Sequence, residues 1–321
     1  MDERGRPLSF KHACVSRVLH WNMTAYHMKR LFPPALVALF LLAACAESSE
    51  SPNGTAADPI AEAYPPVTTT GGESWISWNG DGDRMLFGRH AEGWSNHVIW
   101  ESVRDSTGAW SEPDTVSFSG IYNDRGARFY PALDAVLFSS DRPVRDGGPQ
   151  ADFNLWIAMH DGEEWMEPGP MDALNSEAND FHGSVTEGGV LYFASNRDGG
   201  LGRSDLYRAE LGSTGYRTAA LPAPVNSALS ESDVFVDPLE RYIVFSRTDA
   251  PGGAGGDDLY ISYRSADGWS EPENLGAGIN AGDYEYGTWI TRDGTLYFTT
   301  HHDGEADIVS VPVSDVSAFR Y

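Results

Sequence analysis

The chain repeats itself five times between about residue 73 and its C-terminus. Every copy has a short strand that closes on a phenylalanine, and these residues recur at intervals of 51, 55, 52 and 53: Phe87, Phe138, Phe193, Phe245 and Phe298. A second short strand follows about a dozen residues later in each copy. A period near 50 residues with several short strands per unit is typical of β-propeller blades. The sequence therefore predicts an all-β propeller of five four-stranded blades, with six blades as the alternative.

The ends of the repeat region indicate how the ring closes. After Ile308-Val309 too little chain remains in the last copy for an outer strand. Residues 63–68 stand just upstream of the first inner strand, so we expect this segment to complete the last blade. Such closure removes the open sheet edge that would otherwise promote aggregation.

Several phrases of the repeat resemble a known family. Residues 191–200 read Leu-Tyr-Phe-Ala-Ser-Asn-Arg-Asp-Gly-Gly and are followed by Ser-Asp-Leu-Tyr at 204–207, while residues 137–142 read Leu-Phe-Ser-Ser-Asp-Arg. These phrases resemble the TolB-like, WD-like β-propeller repeat over nearly all of residues 73–310. The resemblance implies a propeller that serves as a scaffold in the bacterial cell envelope. Because such folds host unrelated activities, the site must be argued from its own residues.

The N-terminal region predicts a lipoprotein. Met28-Lys29-Arg30 is a cationic start, residues 31–42 are apolar, and Leu42-Ala43-Ala44-Cys45 resembles the bacterial lipoprotein processing box. The resemblance implies a signal peptide over 28–44, preceded by an over-extended start over 1–27, and lipid attachment at Cys45. A short membrane anchor with an incidental cysteine is the alternative, although a spanning helix needs roughly 20 apolar residues.

The remaining boundaries follow from composition. Residues 45–60 are polar and predict a flexible tether, which leaves 61–321 as the propeller domain. Ala46 follows the cysteine where an inner-membrane retention signal would have Asp, so we expect the periplasmic face of the outer membrane.

Charge limits the possible partners. Residues 1–44 hold six of the 22 basic and two of the 47 acidic residues, which leaves 16 Arg, no Lys and 45 Asp plus Glu, a net charge of −29. Such a surface repels nucleic acid and anionic lipids. It is consistent with adaptation to high salt or with a basic partner. The only cysteines are Cys14 in the leader and Cys45, so no disulfide or thiol chemistry is expected.

A carboxylate recurs once per copy, 12 to 14 residues before each phenylalanine: Glu73, Asp124, Asp180, Asp233 and Glu285. We expect these five to encircle one mouth of the central channel, where like charges favour cations or a basic ligand group. Capping of the blade backbone is the alternative role. Arg128 and His182 differ between copies and are further candidates for ligand binding. Arg142, Arg197 and Arg247 form a second set, predicted to pair inside the blades with residues that precede the third strands: Asn154, Asp205, Asp258 and Asp307.

Three functions remain open. The first is a non-enzymatic envelope scaffold that binds a protein or peptide and needs no cofactor. The second is a carbohydrate-active enzyme, in which Asp124 and Asp180 would be the catalytic carboxylates and exposed Trp75 or Trp289 would bind sugar. Trp78 and Trp94 also break the repeat pattern and are expected to be exposed. The third is a module stabilised by a divalent cation such as Ca²⁺, which predicts a lower melting temperature with chelator. The chain has no Gly-x-Ser-x-Gly elbow and no zinc-ligand spacing.

Overall fold

A computed structural model describes residues 62–64, 67, 71–91, 95–130, 133–144, 152–302 and 304–320, which form 21 strands. The predicted leader, signal peptide and tether, with Cys45, lie outside the described residues, as does Trp94. The longest uninterrupted range that the structure describes, 152–302, lies within the repeat region.

Five sheets correspond to the five sequence repeats. The first blade contains β2 (Gly72–Trp78), β3 (Arg84–Ala91), β4 (Ser95–Val103) and β5 (Asp114–Thr115). The second contains β6 (Asp124–Phe129), β7 (Ala135–Ser140), β8 (Asn154–Met159) and β9 (Gly169–Pro170). The third contains β10 (Asp180–Val185), β11 (Leu191–Ser195), β12 (Asp205–Gly212) and β13 (Gly215–Ala220).

The last two blades differ slightly in their outer strands. The fourth contains β14 (Ser230–Val236), β15 (Tyr242–Thr248) and β16 (Asp257–Ser265), with two short strands, β17 (Gly268–Trp269) and β18 (Glu273–Asn274), both paired to β16. The fifth contains β19 (Glu285–Ile290), β20 (Thr295–His302), β21 (Glu305–Pro312) and β1 (Glu62–Ala63). The prediction of an all-β propeller with five blades is confirmed.

The chain closes the ring as predicted from its ends. Ala63 pairs with Val309 and Glu62 with Ser310, so β1 is the outer strand of the fifth blade. The Tyr64 N–H then donates to the Ile308 carbonyl at 2.9 Å. The inner strands contact one another in the cyclic order β2, β6, β10, β14, β19 and again β2. The outer edge of the last sheet is thereby covered by residues that precede the first blade.

Strand direction gives the propeller two distinct faces. Successive strands within each blade are antiparallel. Every inner strand therefore starts on the same side, which we call the upper face. This face carries the connections between blades and those between the second and third strands. The lower face carries the other two connections of each blade.

Apolar residues from adjacent blades form the core. The five repeated phenylalanines are 0 to 1% exposed and lie in the second strand of each blade. Trp75 and Trp78 are 4% and 7% exposed, so the prediction that they face solvent is wrong. Short β-rich repeats leave little helix: in the described ranges a single 3-10 turn spans Val313–Asp315. No described helix has the length and apolar character needed to cross a bilayer.

Candidate functional site

A backbone irregularity recurs at the start of every inner strand. The register between first and second strands shifts in each blade, for example between Phe181 and Ser184 in the third. One residue within each shift has a positive φ, between 50° and 67°: Trp75, Gly126, His182, Asp233 and Gly287. Left-handed backbone is costly for residues with a side chain. Three blades nevertheless place a large or charged side chain there.

Those three side chains meet at the centre of the ring. The Trp75 Nε1–H donates to Asp233 Oδ1 at 2.5 Å, and His182 Nδ1 lies 2.9 Å from Asp233 Oδ2. The Trp75 and His182 ring centroids are 5.2 Å apart. Blades 1 and 4 are not neighbours, and neither are blades 1 and 3, so these contacts can form only across the channel axis. We call Trp75, His182 and Asp233 the central cluster.

Glycines at the other two positions leave room for this cluster. A Cβ on Gly126 would lie 3.1 Å from His182 Cδ2, and a Cβ on Gly287 would lie 2.9 Å from Trp75 Cδ1. Both distances are too short for unstrained packing. The channel axis is therefore filled by three side chains rather than open along its length.

The charge of Asp233 is compensated inside the channel. Burial raises the pKa of Asp233, but His182, the Trp75 indole and Arg128 together outweigh it and lower the pKa below its ordinary value. Burial lowers the pKa of Arg128 to about 10, and its Nη1 donates to the Ile76 carbonyl at 2.7 Å. Of the predicted ligand residues, the structure brings Asp233, His182 and Arg128 together, in a buried network.

The repeated carboxylates form buried ion pairs within their own blades. The pairs are Glu73 with Arg89 at 3.1 Å, Asp124 with Arg142 at 2.7 Å, Asp180 with Arg197 at 2.5 Å and Glu231 with Arg247 at 2.9 Å. All four carboxylate side chains are 0% exposed. Placing Asp233 in this ring is therefore wrong: Glu231 holds the equivalent register, and Asp233 is the positive-φ residue two positions later.

Each of these arginines also stacks on two aromatic rings of its blade. Arg197 lies 5.2 Å from the Phe193 ring and 4.9 Å from the Tyr207 ring. The same arrangement recurs for Arg89 on Phe87 and Trp100, Arg142 on Phe138 and Trp156, and Arg247 on Phe245 and Tyr260. Desolvated cation–π contacts of this kind strengthen an ion pair. They make the arginine an integral part of the blade.

The predicted partners of these arginines have another role. Asp205 accepts hydrogen bonds from the Leu201 and Gly202 backbone N–H groups, and Asp258 accepts from Ala254 and Gly255. The three arginines pair with the inner-strand carboxylates instead, so the prediction that they pair with the residues at the start of the third strands is wrong. A short carboxylate at the start of the third strand instead organises the glycine-rich loop before it.

The sequence patterns described above do not include a repeated asparagine that the structure shows to be important. Asn175, Asn226 and Asn280 each accept from and donate to the backbone of a leucine in the third strand of the preceding blade. Each stands five residues before the inner-strand carboxylate, followed by Ser, Ser and Ala respectively. The Asn-Ser spacing was the available signal. These amides fasten each upper-face connection to the blade before it.

The fifth blade departs from this scheme at Glu285. Its register partner is Thr300, where the first and fourth blades have arginine. Glu285 Oε1 accepts from Gly282 N at 2.6 Å and Thr300 Oγ1 at 2.8 Å. Oε2 is buried and has no hydrogen-bond partner among the described residues. Burial raises the pKa of Glu285 from 4.5 to about 7, opposed by the Thr300 hydrogen bond and assisted by the Asp258 charge.

Four of the six large hydrophobic side chains that face solvent in the described ranges lie on the upper face. Large hydrophobic residues that face solvent there are Ile121, Val144, Leu201 and Tyr284, at 84%, 37%, 58% and 46% exposure. All four lie in connections rather than strands. On the lower face, Val103 and Leu239 are exposed. Exposed acidic residues lie in the same upper connections: Asp152, Glu177, Asp198, Asp249 and Asp283.

The residues predicted for catalysis and sugar binding include three that are buried. Asp124 and Asp180, the predicted catalytic pair, are buried and paired to arginine, which disfavours access by a substrate. Trp75 belongs to the central cluster, so it offers no exposed surface to a sugar ring. Among the described residues, no group of three or more His, Cys, Asp or Glu is arranged to hold a metal ion.

Comparisons with known proteins bear on the fold. No protein-family description matches the chain. A search of curated proteins finds no relative. Among solved structures, a thermostable family-43 glycoside hydrolase has a TM-score of 0.51 at 11% identity, covering 78% of this chain and 91% of its own.

Two further structures are similar at lower scores. TolB from Acinetobacter baumannii has a TM-score of 0.43 at 13% identity over 77% of this chain. A puromycin-hydrolyzing peptidase from Mycobacterium tuberculosis has 0.44 at 12% identity over 71%. The chain spans 56% of the TolB structure and 34% of the peptidase. Identities this low speak to the fold alone. The five sheets make the protein a five-bladed β-propeller, and its fold is similar to that of the family-43 glycoside hydrolase.

Proposed function

We propose that this protein is a non-enzymatic binding scaffold of the cell envelope, which captures a protein or peptide segment on its upper face. The observation that carries the proposal is the set of exposed apolar side chains in the upper-face connections: Ile121, Val144, Leu201 and Tyr284. These residues make the upper face the more apolar of the two faces, and exposed apolar surface is a common feature of interaction sites. The acidic residues among them favour a partner segment that combines basic and apolar side chains.

The filled channel supports this choice of surface. Because the central cluster occupies the axis, a ligand has the upper rim available to it and not a deep central pocket. The family resemblance of the repeat and the lipoprotein-like processing box at Cys45 support attachment to the envelope. We propose lipid anchoring at Cys45 on the periplasmic face of the outer membrane, with no nucleic-acid partner and no required cofactor.

The test compares the two faces of the propeller. The upper-face variant replaces Ile121, Leu201 and Tyr284 by Ser, and the matched lower-face variant replaces Val103 and Leu239 by Ser. Each protein is crosslinked in envelope fractions, and any captured partner is purified and its affinity measured directly. We expect the upper-face variant to lose the partner and the lower-face variant to keep it. Equal binding by both variants would contradict the proposal.

Anchoring is tested separately. Cys45→Ser should move the protein from the membrane fraction to the soluble periplasmic fraction. Retention of the variant in the membrane, with its N-terminal segment uncleaved, would instead favour a membrane anchor over lipidation.

A further inference from the structure

The four arginine ion pairs define a position that no arginine occupies in the fifth blade. In blades 1 to 4 a guanidinium lies between the inner-strand carboxylate and two aromatic rings. In blades 2 to 4 it also donates to a backbone carbonyl six residues before the carboxylate: Arg142 to Phe118, Arg197 to Leu174 and Arg247 to Val225. In the fifth blade Thr300 stands where the first and fourth blades have arginine, and exposed His302 stands where the second and third have it. Val309 replaces the aromatic residue of the third strand.

Glu285 lacks two kinds of hydrogen-bond donor that the equivalent carboxylates of other blades have. In the third and fourth blades a serine hydroxyl also donates to the carboxylate: Ser176 to Asp180 at 2.8 Å and Ser227 to Glu231 at 2.5 Å. The equivalent residue before Glu285 is Ala281. With neither the arginine nor the serine, Oε2 stays buried without a donor among the described residues. A buried carboxylate oxygen left unpaired is costly, so the site favours a donor from elsewhere.

The position lies close to the upper face. The arginines that fill it in the other blades remain 7% to 22% exposed, so the site borders solvent. Thr300, from which such an arginine would start, is itself half-buried. Residues 303 and 304 alone connect β20 to β21, whereas residues 196–204 and 249–256 make this connection in the third and fourth blades. The fifth blade therefore has little loop of its own above Glu285.

Neighbouring residues favour a cation rather than a neutral donor. Asp258 lies close enough for its charge to act on Glu285. Exposed Asp283 and the 46% exposed ring of Tyr284 immediately precede Glu285 in the chain. A guanidinium fits this set because it donates in a planar fork and stacks on aromatic rings. All four internal examples use arginine.

We propose that the space beside Glu285 Oε2 is a binding site for an arginine guanidinium of the partner, which completes in trans the ion pair that blades 1 to 4 form internally. This inference rests on the proposed function, because it assigns a chemistry to part of the same upper face. It commits the partner segment to at least one arginine that inserts at the fifth blade.

The decisive variant fills the site from within the chain. Thr300→Arg places an arginine at the register position that Arg89 and Arg247 occupy, so it should compete with the partner's guanidinium. Glu285→Gln removes the acceptor charge. Asn196→Arg is the control, because it adds the same charge to an exposed upper-face position in the third blade.

The probes are acetyl-Gly-Arg-Gly-amide, its citrulline counterpart of similar shape without charge, its lysine counterpart, and calcium chloride alone. Binding is measured by titration calorimetry and by the carboxyl ¹³C shift of Glu285. We expect the arginine peptide to bind the wild-type protein and to bind Thr300→Arg and Glu285→Gln at least about ten-fold more weakly, with Asn196→Arg changed less than about three-fold. Citrulline should not bind.

Several outcomes would overturn the inference. These are equal binding of the arginine peptide to the wild-type protein and Thr300→Arg, equal binding of the lysine peptide, saturation of the Glu285 shift by calcium, or no shift with any probe. If Thr300→Arg does not fold, Glu285→Gln decides by itself.

Loss of partner capture in the upper-face serine variant alongside any of these results would leave the proposed function standing. Arginine binding at Glu285 without face-dependent capture would instead refute the proposed function and keep the site.

Discussion

Replacing Glu285 by glutamine should stabilise the propeller at alkaline pH and leave its stability at acid pH almost unchanged. Burial raises the pKa of this carboxyl from 4.5 to about 7, opposed by hydrogen bonds from Thr300 and Gly282 and assisted by the charge of Asp258. The folded protein therefore favours the neutral acid. Glutamine keeps the size and the hydrogen-bonding capacity of that neutral form and can never ionise.

The sign and size of the effect follow from proton linkage. Below pH 4.5 the folded and unfolded chains both hold the proton, and above about pH 7 neither does. Between these values only the folded chain holds it, so the free energy of unfolding falls as the pH rises. One pKa unit is worth about 1.4 kcal/mol, so a shift from 4.5 to about 7 costs at most about 3.5 kcal/mol above pH 7. Half-buried Thr300 beside the carboxylate makes this an upper bound, because nearby solvent screens the charge.

Urea unfolding followed by tryptophan fluorescence measures this difference. We expect Glu285→Gln to match the wild-type protein within about 0.5 kcal/mol near pH 5 and to exceed it by up to about 3.5 kcal/mol near pH 8.5. Asp180→Asn is the matched control, because it leaves Arg197 buried without its partner and should cost about 3 to 5 kcal/mol near pH 8.5. If Glu285→Gln loses stability near pH 8.5 as the control does, Glu285 has a compensating cation and the reasoning is refuted.

Three further changes test other parts of the structure. Asn226→Ala removes the partner of three buried backbone groups and should lower the free energy of unfolding by about 3 kcal/mol, whereas the exposed Asn196→Ala should cost less than about 1 kcal/mol by urea titration. Gly287→Ala combines a φ of 67° with a 2.9 Å approach to a tryptophan ring, so its melting temperature should fall well below that of Gly82→Ala, which has a φ of 71° but open space around it. Equal melting temperatures would mean that the channel tolerates the added methyl group. Burial lowers the pKa of His97 from 6.5 to about 2, so only the unfolded chain takes up this proton as the pH falls below 6.5 and stability is lost. His97→Gln should reduce the slope of unfolding free energy against pH by about one proton between about pH 4 and 6.5, and an unchanged slope would contradict the assignment.

The blade count and the closure could be predicted because they depend on periodicity. The phenylalanine interval fixes the second strand of each blade, and a missing outer strand in the last copy requires a segment from elsewhere. The inner strands were harder to predict. The number of residues between the inner-strand carboxylate and the phenylalanine varies with the hairpin turn, so counting back from Phe245 did not separate Glu231 from Asp233. Asp233 was assigned to the ring for this reason, although Glu231 occupies the equivalent register.

The central cluster could not be predicted from spacing. Trp75, His182 and Asp233 are separated by more than 50 residues along the chain, and their contact depends on a backbone conformation that no composition pattern reveals. Trp75 was expected to be exposed because it has no counterpart in the other repeats. Trp75 is instead buried, because the channel axis has room for one large ring but not for five.

If the chain is anchored through Cys45 as proposed above, the two-residue strand β1 has a mechanical consequence. Any tension applied to the chain upstream of residue 62 reaches the domain through the pairing of Glu62 and Ala63 with β21. Both strands belong to the fifth blade, whose inner carboxylate, Glu285, has no arginine partner within the blade. A pull from the membrane side would therefore load the blade that carries the proposed partner site before any other. Force on the anchor and occupancy of the upper face would then act on the same sheet.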